Sequence, residues 1–166
     1  MQKQPQDMSE ETNKSSHELF HGSNMVVENP EIRVAGHYKD FGYGFYCTRI
    51  EKQAKKWALT KNPDHVVTIY EYNETTNLNT LFFSEMSDEW LDFVADCRKG
   101  INHQYDIVEG PMADDQIWDY VEDFVSGNIS REAFWALARF KHPTHQIVFC
   151  TEKSLQSITY KRSYKL

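Results

Sequence analysis

Residues 65–73, HVVTIYEYN, carry the strongest β-strand signal in this chain, because β-branched and aromatic side chains dominate the segment. Shorter segments with strand character are HELFHGS (17–23), YGFYCT (43–48), NTLFF (79–83), YDIVEGP (105–111) and HQIVFCT (145–151). Helical segments lie among them, but strands and helices do not alternate strictly, as they do in a doubly wound parallel sheet. The order of the segments therefore predicts an α+β fold.

Capping residues and glycines delimit the predicted helices. The predicted N-terminal caps are, in chain order, Thr48, Ser87, either Asp114 or Asp115, Ser130 and Thr151. Thr48 and Glu51 have the spacing of a capping box, and the helix after them is predicted to end at Asn62-Pro63. Its apolar face is predicted from the helical spacing of Ile50, Ala54, Trp57 and Ala58. The predicted ends of the next three helices are Lys99, Gly127 and about Phe140.

Length and charge limit the class of protein. The chain has 166 residues, of which 40% are hydrophobic, and a single domain is predicted over residues 17–166 after a polar, disordered tail at 1–16. The formal charge of −7 disfavours non-specific nucleic-acid binding, and the only local basic cluster comprises Lys161, Arg162 and Lys165. No apolar run approaches the ~20 residues that a membrane-spanning helix needs, so no membrane association is expected.

The cysteines and the N-terminus bear on the compartment. Cys47, Cys97 and Cys150 are an odd number of widely spaced residues that fit neither a disulfide framework nor a zinc site. Reduced thiols are therefore expected. The N-terminal residues lack the apolar region of a signal peptide, so the sequence predicts a cytoplasmic protein, with a dedicated secretion route as the open alternative.

The stretch DFGYGFYCT, residues 40–48, places two glycines among four aromatic side chains. A dinucleotide-binding fingerprint needs a third glycine before a helix, and Cys47 occupies that position. The Gly-Lys-Ser/Thr of a phosphate-binding loop is also absent from the stretch. The glycines are therefore not predicted to cradle a phosphate, and the aromatic side chains favour a flat ligand instead.

Four motifs in order give this stretch a wider context. FHGS at 20–23, GYGFY at 42–46, Trp57 and QIVF at 146–149 together resemble the ADP-ribosyltransferase superfamily. The likeness is to the branch of poly-ADP-ribose polymerases and diphtheria toxin, which carries His, Tyr and Glu on three strands. It spans about residues 18–160 and, with YDIVEGPMADDQIWDY, also resembles an uncharacterised bacterial family of small transferase-like domains. It implies a split, mostly antiparallel β core with peripheral helices.

The resemblance implies a site for NAD, which such enzymes use as a substrate. The NAD-binding residues that it implies are His21, Gly22, Ser23, Gly44, Tyr46 and Trp57. Tyr46 and Trp57 would hold the cationic nicotinamide ring between aromatic faces, by a cation–π attraction of roughly 0.5–2 kcal/mol per ring. His21 would hydrogen-bond a ribose hydroxyl, and the main chain of Gly22 would bind the carboxamide. Gly44 would let its strand pass close beneath the ligand.

The implied catalytic residues are His21, Tyr46 and Gln146. The family's glutamate binds the ribose 2′-hydroxyl and stabilises positive charge, and it aligns with Gln146, which keeps a hydrogen bond but not the charge. The enzyme would then work slowly with Gln146, or another carboxylate would supply the charge, or the domain would only bind. The candidate acids are Glu109, Asp114, Asp115 and Glu152. Lack of the glutamate also implies transfer of single units rather than polymers.

The leading hypothesis is therefore a mono-ADP-ribosyltransferase, a glycosyltransferase that moves ADP-ribose from NAD to a protein or nucleic acid. By analogy alone it would be a bacterial toxin or defence factor, with a cognate inhibitor or antitoxin as a further partner. The alternatives are a catalytically silent module that binds NAD or ADP-ribose, and a partner-binding domain that uses the aromatic cleft for a peptide.

Simpler interpretations of single residues stay open at this point. Gln146 alone would be a strand-start residue that faces solvent. Cys47 with His21, His37 or His142 would suggest a Cys–His hydrolase, but no local family signature surrounds it. His142 and His145 have a metal-like spacing without an evident acidic or cysteine partner, so no metal site is predicted.

Overall fold

The computed structural model describes residues 17–34, 39–75, 77–113, 115–139 and 144–166. The predictions made for the tail at 1–16, for the side chains of Asp114 and Asp115, and for His37, Phe140 and His142 lie outside the described residues. Strands and helices are mixed without strict alternation in the described part of the chain, which confirms the predicted α+β class.

The described residues form seven strands and five helices. The strands are β1 (Glu18–Ser23), β2 (Phe45–Cys47), β3 (Val66–Tyr72), β4 (Thr80–Phe82), β5 (Ile107–Gly110), β6 (Gln146–Phe149) and β7 (Ile158–Lys165). The helices are α1 (Glu51–Leu59), α2 (Asp88–Arg98), α3 (Asp115–Val125), α4 (Arg131–Ala138) and α5 (Glu152–Leu155).

The strands divide into two sheets. The first has the order β1-β3-β7 and is antiparallel throughout. The second has the order β2-β6-β5-β4, in which only the β4–β5 pair is parallel. The β structure is therefore split and mostly antiparallel, as predicted.

Three apolar clusters show how the layers stack. α1 packs on one face of the first sheet, where Ala54 and Ala58 meet Val67 and Ile69. The other face of that sheet packs on the second sheet through residues such as Tyr70 and Phe149. α2, α3 and α4 cover the remaining face of the second sheet, in the cluster Trp90, Leu91, Val94, Val108, Val121, Phe134 and Val148. β3, the central strand of the first sheet, is therefore covered on both faces and is buried along almost its whole length.

β1 and β2 connect the two sheets at a single point. Phe20 and Thr48 exchange two backbone hydrogen bonds of 2.9 Å, and this bridge lies outside the regular ladders. On either side of the bridge the two strands belong to different sheets. His21 and Tyr46 therefore flank a place where backbone pairing has ended and a ligand can approach.

Three of the predicted helix caps are confirmed. The side chains of Ser87, Ser130 and Thr151 accept hydrogen bonds from the backbone N–H groups of Trp90, Ala133 and Ser154. These hydroxyls satisfy N–H groups that have no partner within the first helical turn.

The predicted capping box at Thr48 is wrong. α1 begins at Glu51, and the preceding Ile50 makes no side-chain hydrogen bond to the helix. Thr48 is buried in the bridge to Phe20, and its Oγ1 contacts the N–H of Ile50 at 3.1 Å and His145 Nδ1 at 3.4 Å rather than an N–H of the first turn of α1. Ile50 is 37% exposed rather than part of the apolar face. The helix also ends at Leu59, before the predicted stop at Asn62.

β7 was not predicted from the sequence. Its eight residues include Lys161, Arg162 and Lys165, which suggested a basic cluster on the surface. Lys161 and Arg162 form ion pairs with Glu18, and Lys165 pairs with Asp64. The cluster is therefore neutralised by acids of the same layer and does not form a basic patch.

Candidate functional site

A cavity of about 1270 Å³ lies where β1 and β2 separate. Its volume exceeds the ~300–1,000 Å³ typical of small-molecule sites. All of the predicted site residues line it, namely His21, Gly22, Ser23, Gly44, Tyr46, Trp57 and Gln146. The fold thus brings together residues that lie as far apart in the sequence as β1 and β6.

His21, on β1, enters the cavity in a defined tautomer. Its Nδ1 lies 2.7 Å from the backbone oxygen of Tyr46, and a carbonyl oxygen can only accept. Nδ1 therefore carries the proton and Nε2 is left as an acceptor. Burial lowers the pKa of His21 to about 4, against the effect of this hydrogen bond. At neutral pH the imidazole is uncharged and suited to accept a hydrogen bond from a hydroxyl group.

Tyr46, on β2, is held by its hydroxyl group. The hydroxyl donates to the backbone oxygen of Gly42 at 2.6 Å and accepts from the N–H of Phe41 at 3.2 Å. Burial raises the pKa of Tyr46 well above its usual value, and the charge of Asp40 adds to this effect. The ammonium of Lys39 lies 4.8 Å from the ring centroid. Tyr46 is thus a neutral, fixed aromatic ring that already bears a cation on one face.

The glycines serve packing between elements more than access to a ligand. A Cβ atom at Gly22 would come within 2.1 Å of the Ala54 backbone oxygen, so the glycine lets α1 pack directly on β1. A Cβ at Gly44 would meet Val148 at 2.5 Å, on β6. Both residues border the cavity, but their close contacts are with the protein. Gly42 has a φ of 82°, the left-handed region that a turn requires here.

Trp57 and Ser23 occupy the rim that α1 and β1 share. Trp57 is partly buried near the C-terminal end of α1, and packing against Gly22 brings that end to the cavity. The hydroxyl group of Ser23 donates to the backbone oxygen of Met25 at 2.7 Å. It therefore stabilises the turn after β1 besides bordering the cavity.

Gln146 is 2% exposed, so the interpretation that it faces solvent is wrong. Its Nε2 donates to Asp40 Oδ2 at 3.2 Å and to the Pro111 backbone oxygen at 3.3 Å. Asp40 itself is 3% exposed and borders the cavity. No sequence pattern pointed to Asp40, although it is the first residue of the DFGYGFYCT stretch.

Asp40, Arg98 and Gln146 form what we call the Asp40 cluster. Arg98 donates to Asp40 Oδ1 from Nη2 at 2.6 Å and from Nε at 3.2 Å. The N–H of Ala113 binds Asp40 Oδ2 at 2.8 Å. Arg98 also pairs with Glu122 at 2.9 Å and stacks 3.7 Å from the ring centroid of Trp118. The buried carboxylate is therefore fully hydrogen-bonded, as a charge at this depth requires.

Of the proposed substitute acids, Glu109 belongs to a different group, which we call the Glu109 cluster: Arg49, Glu109 and His145. Glu109 accepts from Arg49 Nε at 2.7 Å and lies 2.8 Å from His145 Nε2. Burial would raise the pKa of Glu109, but the bonds from His145 and Arg49 outweigh it and lower the pKa. None of the three lines the cavity, and neither does the exposed Glu152. Neither carboxylate therefore borders the cavity where a substitute for the charge of the glutamate would be needed.

Three cations line the rim of the cavity: Arg33, Lys39 and Lys61. All three charges act, after burial, to lower the pKa of His21. The pKa of Lys39 is itself lowered, first by burial and then by Lys61, while Asp40 opposes the shift. Glu28 and Glu31 also line the cavity, so charges of both signs border it, with Asp40 as the buried carboxylate in its wall.

Cys47 and His145 do not support the hydrolase and metal interpretations. Cys47 is fully buried between the sheets, and burial raises its pKa well above the usual value, so it is not an activated nucleophile. His145 is engaged in the Glu109 cluster. No group of three potential metal ligands occurs among the described residues.

None of the described helices is long and apolar enough to cross a bilayer.

A family model described as a protein of unknown function, DUF3990, matches residues 17–160. The match therefore includes every residue that lines the cavity. No curated protein and no solved structure matches the chain.

Proposed function

We propose that this chain, which belongs to the DUF3990 family of proteins of unknown function, is an NAD-dependent mono-ADP-ribosyltransferase. The observation that carries the proposal is the convergence of His21, Tyr46, Trp57 and Gln146 on one cavity. The acceptor is a macromolecule, either a protein or a nucleic acid.

The proposed reaction breaks the glycosidic bond between the nicotinamide nitrogen and the ribose C1′. The bonding electrons move to the nicotinamide, which leaves as a neutral molecule, while positive charge develops on the ribose. A nucleophile of the acceptor then bonds to C1′ and releases its proton to solvent.

The residues of the cavity support each part of this scheme. Tyr46 is a fixed, neutral ring whose face attracts the ammonium of Lys39 at 4.8 Å. The same cation–π attraction would act on the cationic nicotinamide ring. His21 offers Nε2 as an acceptor for a ribose hydroxyl, because Nδ1 is bound to the Tyr46 carbonyl. Arg33, Lys39 and Lys61 would attract the two phosphates.

One observation favours a second candidate, a module that binds NAD or ADP-ribose without cleaving it. Gln146 is neutral, and a carboxylate in this position would stabilise the developing charge by up to about 4 kcal/mol at ~4 Å. Its absence would slow the reaction by ~10²–10³-fold. A silent module is expected to bind NAD and to release no nicotinamide.

We place the protein in the cytoplasm, as a toxin or defence factor that a cognate inhibitor or antitoxin would block. The three cysteines are free, and burial raises the pKa of each thiol, which suits a reducing compartment. An inhibitor that covered the rim of the cavity would exclude NAD.

Incubation of the protein with labelled NAD and a cell lysate tests the proposal. Label from the adenylate half should appear on macromolecules, and free nicotinamide should be released in parallel. His21→Ala should abolish both, whereas His65→Ala is the matched control, because His65 also hydrogen-bonds a backbone oxygen and is not among the residues that line the cavity. Trp57→Ala and Trp135→Ala form a second such pair, since Trp135 lies on α4 outside the cavity.

Calorimetric titration with NAD separates the alternatives. Binding without transfer or nicotinamide release would favour the silent module. No binding at millimolar NAD would refute both and favour a partner-binding domain.

A further inference from the structure

We propose that Asp40 and Gln146 divide between them the two roles of a single catalytic glutamate. Gln146 supplies the oxygen that accepts a hydrogen bond from the ligand, and Asp40 supplies the negative charge behind it. This inference rests on the proposed NAD chemistry, and it identifies Asp40 as a positioning residue that acts through Gln146.

The orientation of the Gln146 amide follows from its partners. Nε2 donates to a carboxylate oxygen of Asp40 and to the carbonyl oxygen of Pro111, and both oxygens can only accept. These two bonds use both N–H groups of the amide. The oxygen Oε1 has no partner among the described residues, and the side chain lines the cavity. Oε1 is therefore the atom that Gln146 can offer to a ribose hydroxyl.

The charge on this side of the cavity follows from the ion pairs around Asp40. Arg98 binds both Asp40, at 2.6 Å, and Glu122, at 2.9 Å, so one positive charge faces two carboxylates. Glu122 is about half exposed, so solvent screens its charge, whereas the Asp40 carboxylate is buried and borders the cavity; Asp40 is therefore the negative charge of the group that faces the ligand site. Its field reaches the cavity, because the Asp40 charge, after burial, raises the pKa of Tyr46 and opposes the lowering of the pKa of Lys39.

The pairing also explains why residue 146 is not a glutamate. A glutamate there would place a carboxylate oxygen within hydrogen-bond distance of Asp40 Oδ2, where Nε2 now lies at 3.2 Å. Two carboxylates so close do not both ionise, and one retains its proton. The amide avoids this conflict. On this view the charge of the site has moved to position 40 rather than been lost.

Four proteins test the inference: the wild type, Asp40→Asn, Gln146→Glu and the double variant Asp40→Asn/Gln146→Glu. For each, nicotinamide release and the NAD dissociation constant are measured, together with the melting temperature as a function of pH in the absence of NAD. The charged groups that surround the pair and must remain in place are Arg98, Lys39 and Glu122.

The expected results form a rescue pattern. Asp40→Asn lowers the rate constant of nicotinamide release by ~10–100-fold with little change in the NAD dissociation constant, because the charge acts on the developing cation. Gln146→Glu yields no gain, and its melting temperature falls relative to that of the wild type as the pH rises from about 5 to about 8, because the second carboxyl is forced to ionise. The double variant loses this pH dependence and recovers release to within about tenfold of the wild type.

The matched control is Glu122→Gln. Glu122 is the other carboxylate on Arg98 and does not line the cavity, so its loss leaves the Asp40–Gln146 bond intact. Nicotinamide release within about twofold of the wild type is expected. A loss as large as that of Asp40→Asn would mean that Asp40 acts only by holding Arg98, and would overturn the inference.

Two further outcomes would also overturn it. One is a Gln146→Glu variant with the pH profile of the wild type, which would show that residues 40 and 146 do not share a proton. This measurement stands even if Asp40→Asn fails to fold. The other is additive losses in the double variant. If the wild type itself releases no nicotinamide, the transferase proposal fails, and the catalytic role of Asp40 fails with it. The melting profiles alone would then report the coupling.

Discussion

The Asp40 cluster and the Glu109 cluster contain similar groups, but only the first borders the cavity. Gln146 is the first residue of β6 and His145 immediately precedes it, so their side chains point to opposite faces of the second sheet. Gln146 reaches Asp40 on the side of the helices, while His145 reaches Glu109, which is paired with Ile147 on the side of the first sheet. The face from which Gln146 or His145 projects therefore decides which carboxylate it meets, and only the carboxylate that meets Gln146 borders the cavity.

The two clusters also differ in burial. Replacing the arginine of each cluster should therefore give the largest difference in unfolding free energy. Arg98 and Asp40 have almost fully buried side chains, so Arg98→Met leaves a carboxylate without its charge partner and should cost about 3–5 kcal/mol of unfolding free energy. Arg49 is 27% exposed, and Glu109 keeps His145, so Arg49→Met should cost about 1 kcal/mol. Urea unfolding of both variants measures this, and equal losses would contradict the contrast.

Acid should affect His21, which borders the cavity, and the Glu109 cluster in different pH ranges. Burial lowers the pKa of His21 from 6.5 to about 4, so between these values the unfolded chain binds a proton that the native state does not. Titration of His21 therefore leaves the unfolding free energy unchanged above pH 6.5 and lowers it as the pH falls from 6.5 to about 4, by up to about 3 kcal/mol. The pKa of the Glu109 carboxyl group is lowered from its usual value of 4.5. Glu109 therefore stabilises the native state above pH 4.5, and this contribution is lost only as the pH falls below 4.5.

Unfolding free energies across this pH range test the assignment. The His21→Asn variant should lose the slope between pH 4 and 6.5, and Glu109→Gln should keep it. A slope that is unchanged in His21→Asn would show that another group is responsible.

Glu109→Gln should separate stability from ligand binding. The variant loses the charge in the bonds from Arg49 and His145, which should cost about 2 kcal/mol of unfolding free energy. Its NAD dissociation constant should remain within about twofold of the wild-type value, because Glu109 does not line the cavity. A tenfold weaker affinity would instead return Glu109 to the site.

The smallest effect is expected from a pair of tyrosines. The hydroxyl groups of Tyr46 and Tyr70 each donate to a backbone oxygen at 2.6 Å, that of Gly42 and that of Val27; the Tyr46 ring borders the cavity, whereas the Tyr70 ring lies between the sheets and only its acceptor borders the cavity. Tyr46→Phe and Tyr70→Phe should each lower the unfolding free energy by about 1 kcal/mol. Since Tyr46→Phe keeps the aromatic face, its NAD affinity should differ little from that of Tyr70→Phe, as calorimetry can measure. A much larger loss in Tyr46→Phe would mean that its hydroxyl contacts the ligand.

The sequence predicted elements whose signals are local. The strand over HVVTIYEYN and the caps Ser87, Ser130 and Thr151 agree with the structure, because β propensity and hydroxyl capping depend on neighbours within a few residues. The capping box at Thr48 failed because a bridge to Phe20, 28 residues earlier in the chain, holds that side chain elsewhere. β7 was missed because its charged residues pair with acids of other segments.

The order of strand and helix segments predicted the α+β class, and the resemblance of four motifs to a known superfamily indicated residues that meet at the cavity. The partners of those residues became visible only in the folded chain. It showed that Gly22 and Gly44 make room for α1 and β6, that Glu109 faces away, and that Asp40 lies behind Gln146. Asp40 and Gln146 are 106 residues apart, and their contact depends on sheet register and on the burial of Arg98. No pattern within a segment records that geometry.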